Sequence, residues 1–210
     1  MHILSHRGFW VRADEKNTVA AFERSVKAGF GTETDFRDCL GRLVVAHDLP
    51  DASALDADAF FACFAARNAE LPLALNVKAD GLQDLMLSAV QRHALTNYFL
   101  FDMSVADALV SLRRGLRVFT RESDVERLPP FYERAAGVWL DAFADESVIN
   151  RSAIERHLAA GKQVCIVSSE LHRRDPADLW GRLREAGVHQ HADVMLCTDR
   201  PSEAQSFFCS

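Results

Sequence analysis

Short apolar runs of four to six residues recur along the whole chain, separated by longer segments in which apolar positions return every three or four residues. The first pattern marks strands buried on both faces of a parallel sheet, and the second marks helices with one buried stripe. Strands are expected at residues 2–5, 32–36, 72–77, 98–101, 117–120, 137–142, 163–168 and 193–197. A helix is predicted over TVAAFERSVKAG at 18–29, with Asn17 as its cap and Gly29 at its C-terminal stop. Another is predicted over SAIERHLAAG, starting beside Asn150 and ending at Gly161. The extended stretch RLVVAH at 42–47 follows the second strand across a Cys-Leu-Gly turn and reads as a hairpin arm. Phe60, Phe61 and Phe64 fall on one helix face and are expected in the core.

Eight strand–helix units within 210 residues suit an α/β chain folded as a single (β/α)8 TIM barrel, near the short end of that fold's size range. An open doubly wound sheet is the alternative. No linker, low-complexity tract or repeat divides residues 1–210, so one domain is expected. Composition narrows the function classes. With 24 basic and 30 acidic side chains the formal charge is −6, and 49% of positions are hydrophobic. This excludes a disordered tail, and it disfavours nucleic acid as partner because a polyanion meets net repulsion. The five cysteines are odd in number and show no C-x-x-C spacing, so free thiols and a cytoplasmic, reducing location are expected. No window approaches the roughly 18 apolar residues of a transmembrane segment, and the first residues do not read as a secretory leader. Arg113-Arg114 and Arg173-Arg174 read as solvated surface.

The chemistry gathers where the expected strands end, and in a barrel those ends meet at one mouth. His6, Arg7 and Gly8 follow the first strand, Glu33 and Asp35 lie on the second, His47 and Asp48 end its hairpin arm, and Asn76, Lys78 and Asp80 close the third. Glu33 and Asp35 are two apart, so an extended backbone turns both carboxylates to one side. Two like charges held together call for a cation, and oxygen-only ligation suits Mg2+ or Ca2+ better than zinc. Two imidazoles at one centre can take a proton from an attacking oxygen and give one to a leaving oxygen. Arg7 and Lys78 supply positive charge suited to phosphate oxygens, or ion pairs with the neighbouring carboxylates.

The ordered set HRG at 6–8, NT followed by AF at 17–22, ETD at 33–35, VVAHD at 44–48, LNVK at 75–78 and TDRP at 198–201 resembles the glycerophosphodiester phosphodiesterase family. It is similar, more distantly, to sphingomyelinase D toxins and phosphatidylinositol phospholipases C. The resemblance implies a TIM barrel and metal-assisted cleavage of a small-molecule phosphodiester. It makes His6 and His47 the catalytic histidines, Glu33 and Asp35 metal ligands, and Arg7 and Lys78 phosphate contacts.

The chain departs from the family at four places. Asn76 stands where the family has an acidic third ligand, and Asp80, of the same strand parity, is the candidate to supply the missing charge. Lys16 replaces the usual Glu before Asn-Thr, and VSSEL follows the seventh strand in place of a Trp-Thr pair. Only 23 residues separate Asp48 from Pro72, where bacterial members carry an extra segment. The expected function is thus a metal-dependent phosphodiesterase acting on a glycerophosphodiester-like or lipid- or sugar-linked diester. The alternatives are a non-catalytic phosphate-binding barrel, and a lyase that cyclises or transfers the phosphoryl group on the same scaffold.

Overall fold

Each of the eight apolar runs becomes a strand in the computed structural model, which describes residues 1–67 and 70–209. They are β1 (His2–His6), β2 (Gly31–Cys39), β5 (Leu73–Val77), β6 (Tyr98–Phe101), β7 (Phe119–Glu122), β8 (Gly137–Leu140), β9 (Gln163–Val167) and β10 (Val194–Thr198). The hairpin arm is β3 (Arg42–Val45), and a two-residue β4 (Leu55–Asp56) adds to it. Seven α-helices are described: α1 (Val19–Ala28), α2 (Ala57–Phe64), α3 (Gln83–Arg92), α4 (Val105–Arg113), α5 (Arg151–Ala159), α6 (Ala177–Glu185) and α7 (Pro201–Cys209). Contacts group the chain into two units, Ser5–Val118 and Met1–Leu4 with Phe119–Ser210.

In the Ser5–Val118 unit, β2 is the central strand. It pairs in parallel with β5, placing Glu33 opposite Ala74 and Asp35 opposite Asn76, and β5 pairs in parallel with β6. Past Phe36 it turns into the hairpin with β3. Leu40 and Gly41 form that turn with φ of 51° and 77°, the left-handed pair that a tight hairpin requires. Ser5 Oγ ties the end of β1 to this unit by hydrogen bonds with Ser25 (2.7 Å) and Thr32 (3.0 Å). The core is built on Phe22, Phe36, Phe60, Phe61 and Phe64, all fully buried. Phe22 and Phe60 meet edge to face at 4.8 Å, and Phe36 stacks on Phe61 at 5.4 Å. Burying each such ring stabilises the fold by about 1.5–3 kcal/mol, which is why the helix face read from the sequence points inward.

In the second unit, β7, β8, β9 and β10 pair in parallel in chain order, and the first residues of β1 group with them. Its separate core includes Val138, Leu140, Ile154, Ile166, Leu179 and Leu196. Helix α5 begins where expected: Asn150 accepts from the Ala153 amide, and Gly161 beyond its end has φ 71°.

Three local expectations need correction. Helix α1 is capped by Thr18, whose side chain accepts from the Ala21 amide, and not by Asn17. Thr18 has the extended backbone a cap needs, whereas Asn17 sits at φ 60°, a conformation Asn tolerates better than most residues. Arg174 is not simply solvated surface. Its guanidinium donates to the carbonyl oxygens of Ala142 and Phe143 and to Glu146, closing the loop after β8. Strand β8 ends at Leu140, short of the expected 142, although the Asp141 amide still donates to the Glu122 carbonyl. None of the five cysteines is in a disulfide, and among the described residues no helix is long and apolar enough to cross a membrane.

Candidate active site

Strand β2 delivers Glu33 and Asp35 to the same side, and both are buried. The parallel register lays Asn76 beside Asp35, and the Asn76 amide donates to Glu33 Oε1 at 3.1 Å. His6, at the end of β1, brings Nε2 to 3.8 Å from Glu33 Oε2. Arg7 follows in a left-handed conformation (φ 58°), with its amide donating to the Glu33 carbonyl at 2.8 Å and facing Glu33 Oε2 at 3.3 Å. Its guanidinium Nε lies 3.0 Å from Asp35 Oδ2, an ion pair without hydrogen-bond alignment. Lys78, just past β5, holds Nζ 3.6 Å from Asp35 Oδ1 and 3.2 Å from Asp102 Oδ2.

Gly8 makes this approach feasible. It has φ 86°, and a Cβ there would stand 2.8 Å from the Cβ of Ala21 on α1. Only glycine meets both the left-handed backbone and the close passage. The loop carrying His6 and Arg7 can therefore lie directly on α1.

The electrostatics of the pair are unfavourable without a further positive charge. Burial, and next the charge of Asp35, push the Glu33 carboxyl up to about 7, although His6, Asn76 and Lys78 pull it back. Two buried oxygens in the cluster, Asp35 Oδ1 and Asn76 Oδ1, have no hydrogen-bond partner. Buried acceptors left unpaired are costly, each on the order of 1–3 kcal/mol. With Glu33 they form an all-oxygen donor set that fits a hard divalent cation. Its formal charge is low for such a site, because Asn76 is neutral. Among the described residues no group of three or more His, Cys, Asp or Glu is placed to hold a metal ion.

The structure brings together His6, Arg7, Glu33, Asp35, Asn76 and Lys78. His47 lies one residue beyond Ala46, whose amide donates to the Asp35 carbonyl at 3.0 Å. Its ring is 44% exposed, with Nδ1 2.9 Å from Asp48 Oδ1. Asp80 is not drawn into the cluster. Strand β5 ends at Val77, so the strand parity that related Asp80 to Asn76 lapses, and the exposed Asp80 accepts a hydrogen bond from Ser104 at 3.0 Å.

Two residues join the cluster in roles that the sequence pattern does not assign them. Asn17 donates to Asp35 Oδ2 (2.9 Å) and accepts from Thr34 (2.8 Å), fixing the carboxylate's orientation. Its signal was the pair Asn-Thr before a helix: two capping residues compete for one cap, and the other is left for different work. Asp102, immediately past β6, reaches Lys78 from a backbone at φ 68°. Its signal was an acidic residue directly after the apolar run YFLF.

The second unit also places polar residues after its strands, in a different condition. The Asp124 carboxylate accepts from the amides of Phe143, Ala144 and Asp145 at 2.7–3.0 Å. Burial pushes its pKa up, but those amides outweigh it and hold the group at about 2. Asp141 accepts from His172 Nε2 and from the Ala142 amide, both at 2.7 Å. Glu170 accepts from Ser168, Thr198 and the Asp199 amide.

No protein-family profile matches the sequence, and no curated protein matches it either. Solved structures do. A glycerophosphodiester phosphodiesterase from Agrobacterium tumefaciens superposes with a TM-score of 0.72 at 18% identity, over 100% of both chains. One from Parabacteroides distasonis superposes with a TM-score of 0.70 at 19% identity, over 99% of this chain and 96% of that one. An Oleispira antarctica phosphodiesterase, solved in complex with the product sn-glycerol-3-phosphate, gives 0.70 at 17% identity over 100% and 97%. The likeness shows the fold: an α/β chain with the TIM-barrel architecture of these proteins.

Proposed function

We propose that the cluster in the Ser5–Val118 unit cleaves a small phosphodiester. The observation that carries this reading is the convergence of His6, Arg7, Glu33, Asp35, Asn76 and Lys78 from three strands, with Asp35 Oδ1 and Asn76 Oδ1 buried and without a hydrogen bond. Buried acceptors beside cationic side chains are what a phosphate-and-cation site offers before its ligand arrives. Glu33, Asp35 and Asn76 would hold Mg2+ or Ca2+, and a bound divalent ion supplies charge stabilisation to a phosphoryl oxygen. Structural neighbours described as glycerophosphodiester phosphodiesterases, and a phosphodiesterase solved with the product sn-glycerol-3-phosphate, support a glycerophosphodiester as the first substrate class to try.

The chain's own groups divide the remaining work. His47 Nδ1 faces Asp48, and in the tautomer with a proton on Nδ1 the Nε2 lone pair is left to accept the nucleophile's proton. That nucleophile is a neighbouring hydroxyl, giving a cyclic phosphate, or water. As its oxygen bonds to phosphorus, the bond to the leaving oxygen breaks, and His6, carrying a proton at the start of the step, gives it to that oxygen while His47 keeps the nucleophile's proton. Arg7 and Lys78 share the negative charge that develops on the phosphoryl oxygens. Each proton transfer so assisted is worth about 10²–10⁴-fold in rate.

One observation favours a second reading, a phosphate-binding barrel without turnover: the third acid is an amide, and that amide is spent as a donor to Glu33. Hydrolysis of bis(p-nitrophenyl) phosphate and of glycerophosphocholine, with Mg2+, Ca2+ or Mn2+ and with chelator, separates the two. Metal-dependent release, with a cyclic or open product read by 31P NMR, is expected. Saturable phosphate binding with no release above background in any condition would instead leave the binding barrel standing.

A further inference from the structure

The division of roles above leaves one acid of the cluster unused. Asp102 follows the last residue of β6, and its Oδ2 lies 3.2 Å from Lys78 Nζ with the side chain 24% exposed. Strand alternation does not account for this placement. In the β5–β6 register Asn76 is opposite Phe101, so a continued strand would set Asp102 opposite Val77, whose side chain belongs to the core. The backbone instead turns left-handed at Asp102, φ 68°, and the carboxylate reaches the ammonium. Left-handed backbone at a non-glycine residue carries a strain cost, and such outliers gather where geometry serves a function. Arg7 and Asn17 are left-handed as well, so three of the described left-handed non-glycine residues border this one cluster.

The second consequence is electrostatic. Lys78 Nζ is 3.6 Å from Asp35 Oδ1, beyond hydrogen-bonding reach, and that oxygen has no hydrogen-bond partner. A flexible ammonium so near a buried carboxylate would close on it unless a competing anion held it back. Asp102 is that anion. We infer that Asp102 is a positioning residue: it draws the Lys78 ammonium off Asp35, keeping Asp35 Oδ1 open to a divalent cation and the ammonium available to phosphate. This inference rests on the phosphodiesterase reading. It adds a residue from just past β6, and an explanation of how a site with Asn76 in place of an acid keeps an oxygen for a cation: Lys78 stays within ion-pair range of Asp35 without hydrogen-bonding to Oδ1.

A double-mutant cycle on divalent binding tests it. Mn2+ binding to the full chain is measured by calorimetric titration for wild type, Asp102→Asn, Lys78→Met and the double variant. Asn keeps both the shape of Asp and its tolerance of left-handed backbone, and Asp102→Gly serves as a second probe that relieves the strain altogether. We expect Asp102→Asn and Asp102→Gly to weaken Mn2+ binding about 10-fold or more, the scale of losing a supporting partner of a metal site. In the Lys78→Met background the same changes should have no effect within about 2-fold, because no ammonium remains to close on Asp35. Equal losses in both backgrounds, or no loss in either, would overturn the inference while leaving the phosphodiesterase reading intact. Wild-type protein that neither binds Mn2+ nor hydrolyses a diester would overturn both.

Discussion

The two units use the same construction, polar residues set just past parallel strands, and finish it in opposite ways. In the second unit Asp124 is met by three amides and held at about 2, and Glu170 accepts three hydrogen bonds. In the Ser5–Val118 unit Glu33 is driven up to about 7, and Asp35 and Asn76 each bury an oxygen that has no hydrogen bond. The second unit also buries atoms that have no hydrogen bond, at Glu122, Ser169 and His189, but these sit on three separate elements. Those of the first unit, which also include Arg7 Nε, share one cluster with left-handed backbone at Arg7, Asn17 and Asp102. Satisfied carboxylates stabilise the loops that hold them, whereas a concentration of unmet demand marks where a ligand completes the structure.

The largest effect that sharpens this contrast is on turnover. Replacing His6 or His47 with Ala should lower kcat by about 10²–10⁴-fold, with thermal unfolding little changed, in a steady-state assay on a chromogenic diester. A loss of less than 10-fold for both would remove them from proton transfer.

Next comes the backbone that lets the cluster form. Gly8 and Gly187 are both left-handed, but only Gly8 has a neighbour where a Cβ would go. Gly187→Ala should cost about 1–2 kcal/mol for the backbone alone. Gly8→Ala should exceed it by a further 1–3 kcal/mol or so of overpacking, as read by urea unfolding. Equal costs would mean that the loop can move off α1 freely.

The smallest effect concerns Asp124. A carboxyl held below its unfolded value stabilises the fold fully above the unfolded pKa, and loses that contribution as pH falls through the folded one. Asp124→Asn should therefore lower Tm at pH 7, and its difference from wild type should shrink between about pH 4 and pH 2. A difference independent of pH would show that hydrogen-bond geometry, and not charge, holds the loop.

Most of the framework was legible because it follows from burial. Eight apolar runs, a hairpin arm and the Phe60/Phe61/Phe64 face can be read from periodicity, since strands and helices bury different spacings. The two-apart carboxylates of β2 were legible for the same reason. What alternation could not show is where it stops. Parity groups Asp80 with Asn76, but the strand ends at Val77, and parity does not single out Asp102, because a left-handed φ reverses the side that residue faces. The preference for capping residues does not decide between the adjacent Asn17 and Thr18; the extended backbone at Thr18 does.

The most direct test of the contrast is Glu33→Gln, taken through both stability and turnover. Glu33 has a folded pKa raised from 4.5 to about 7, so the folded state holds the proton longer and wild-type stability falls as pH rises across that window. The amide cannot ionise, and the Arg7 amide keeps its bond to the residue's carbonyl oxygen. Relative to wild type in chelator, the variant should therefore be more stable at pH 8 than at pH 5 by up to about 3 kcal/mol. Its metal-supported hydrolysis should fall about 10²-fold or more. Unchanged turnover, or a stability difference that is the same at both pH values, would contradict the claim that this buried acid is kept at a cost for chemistry.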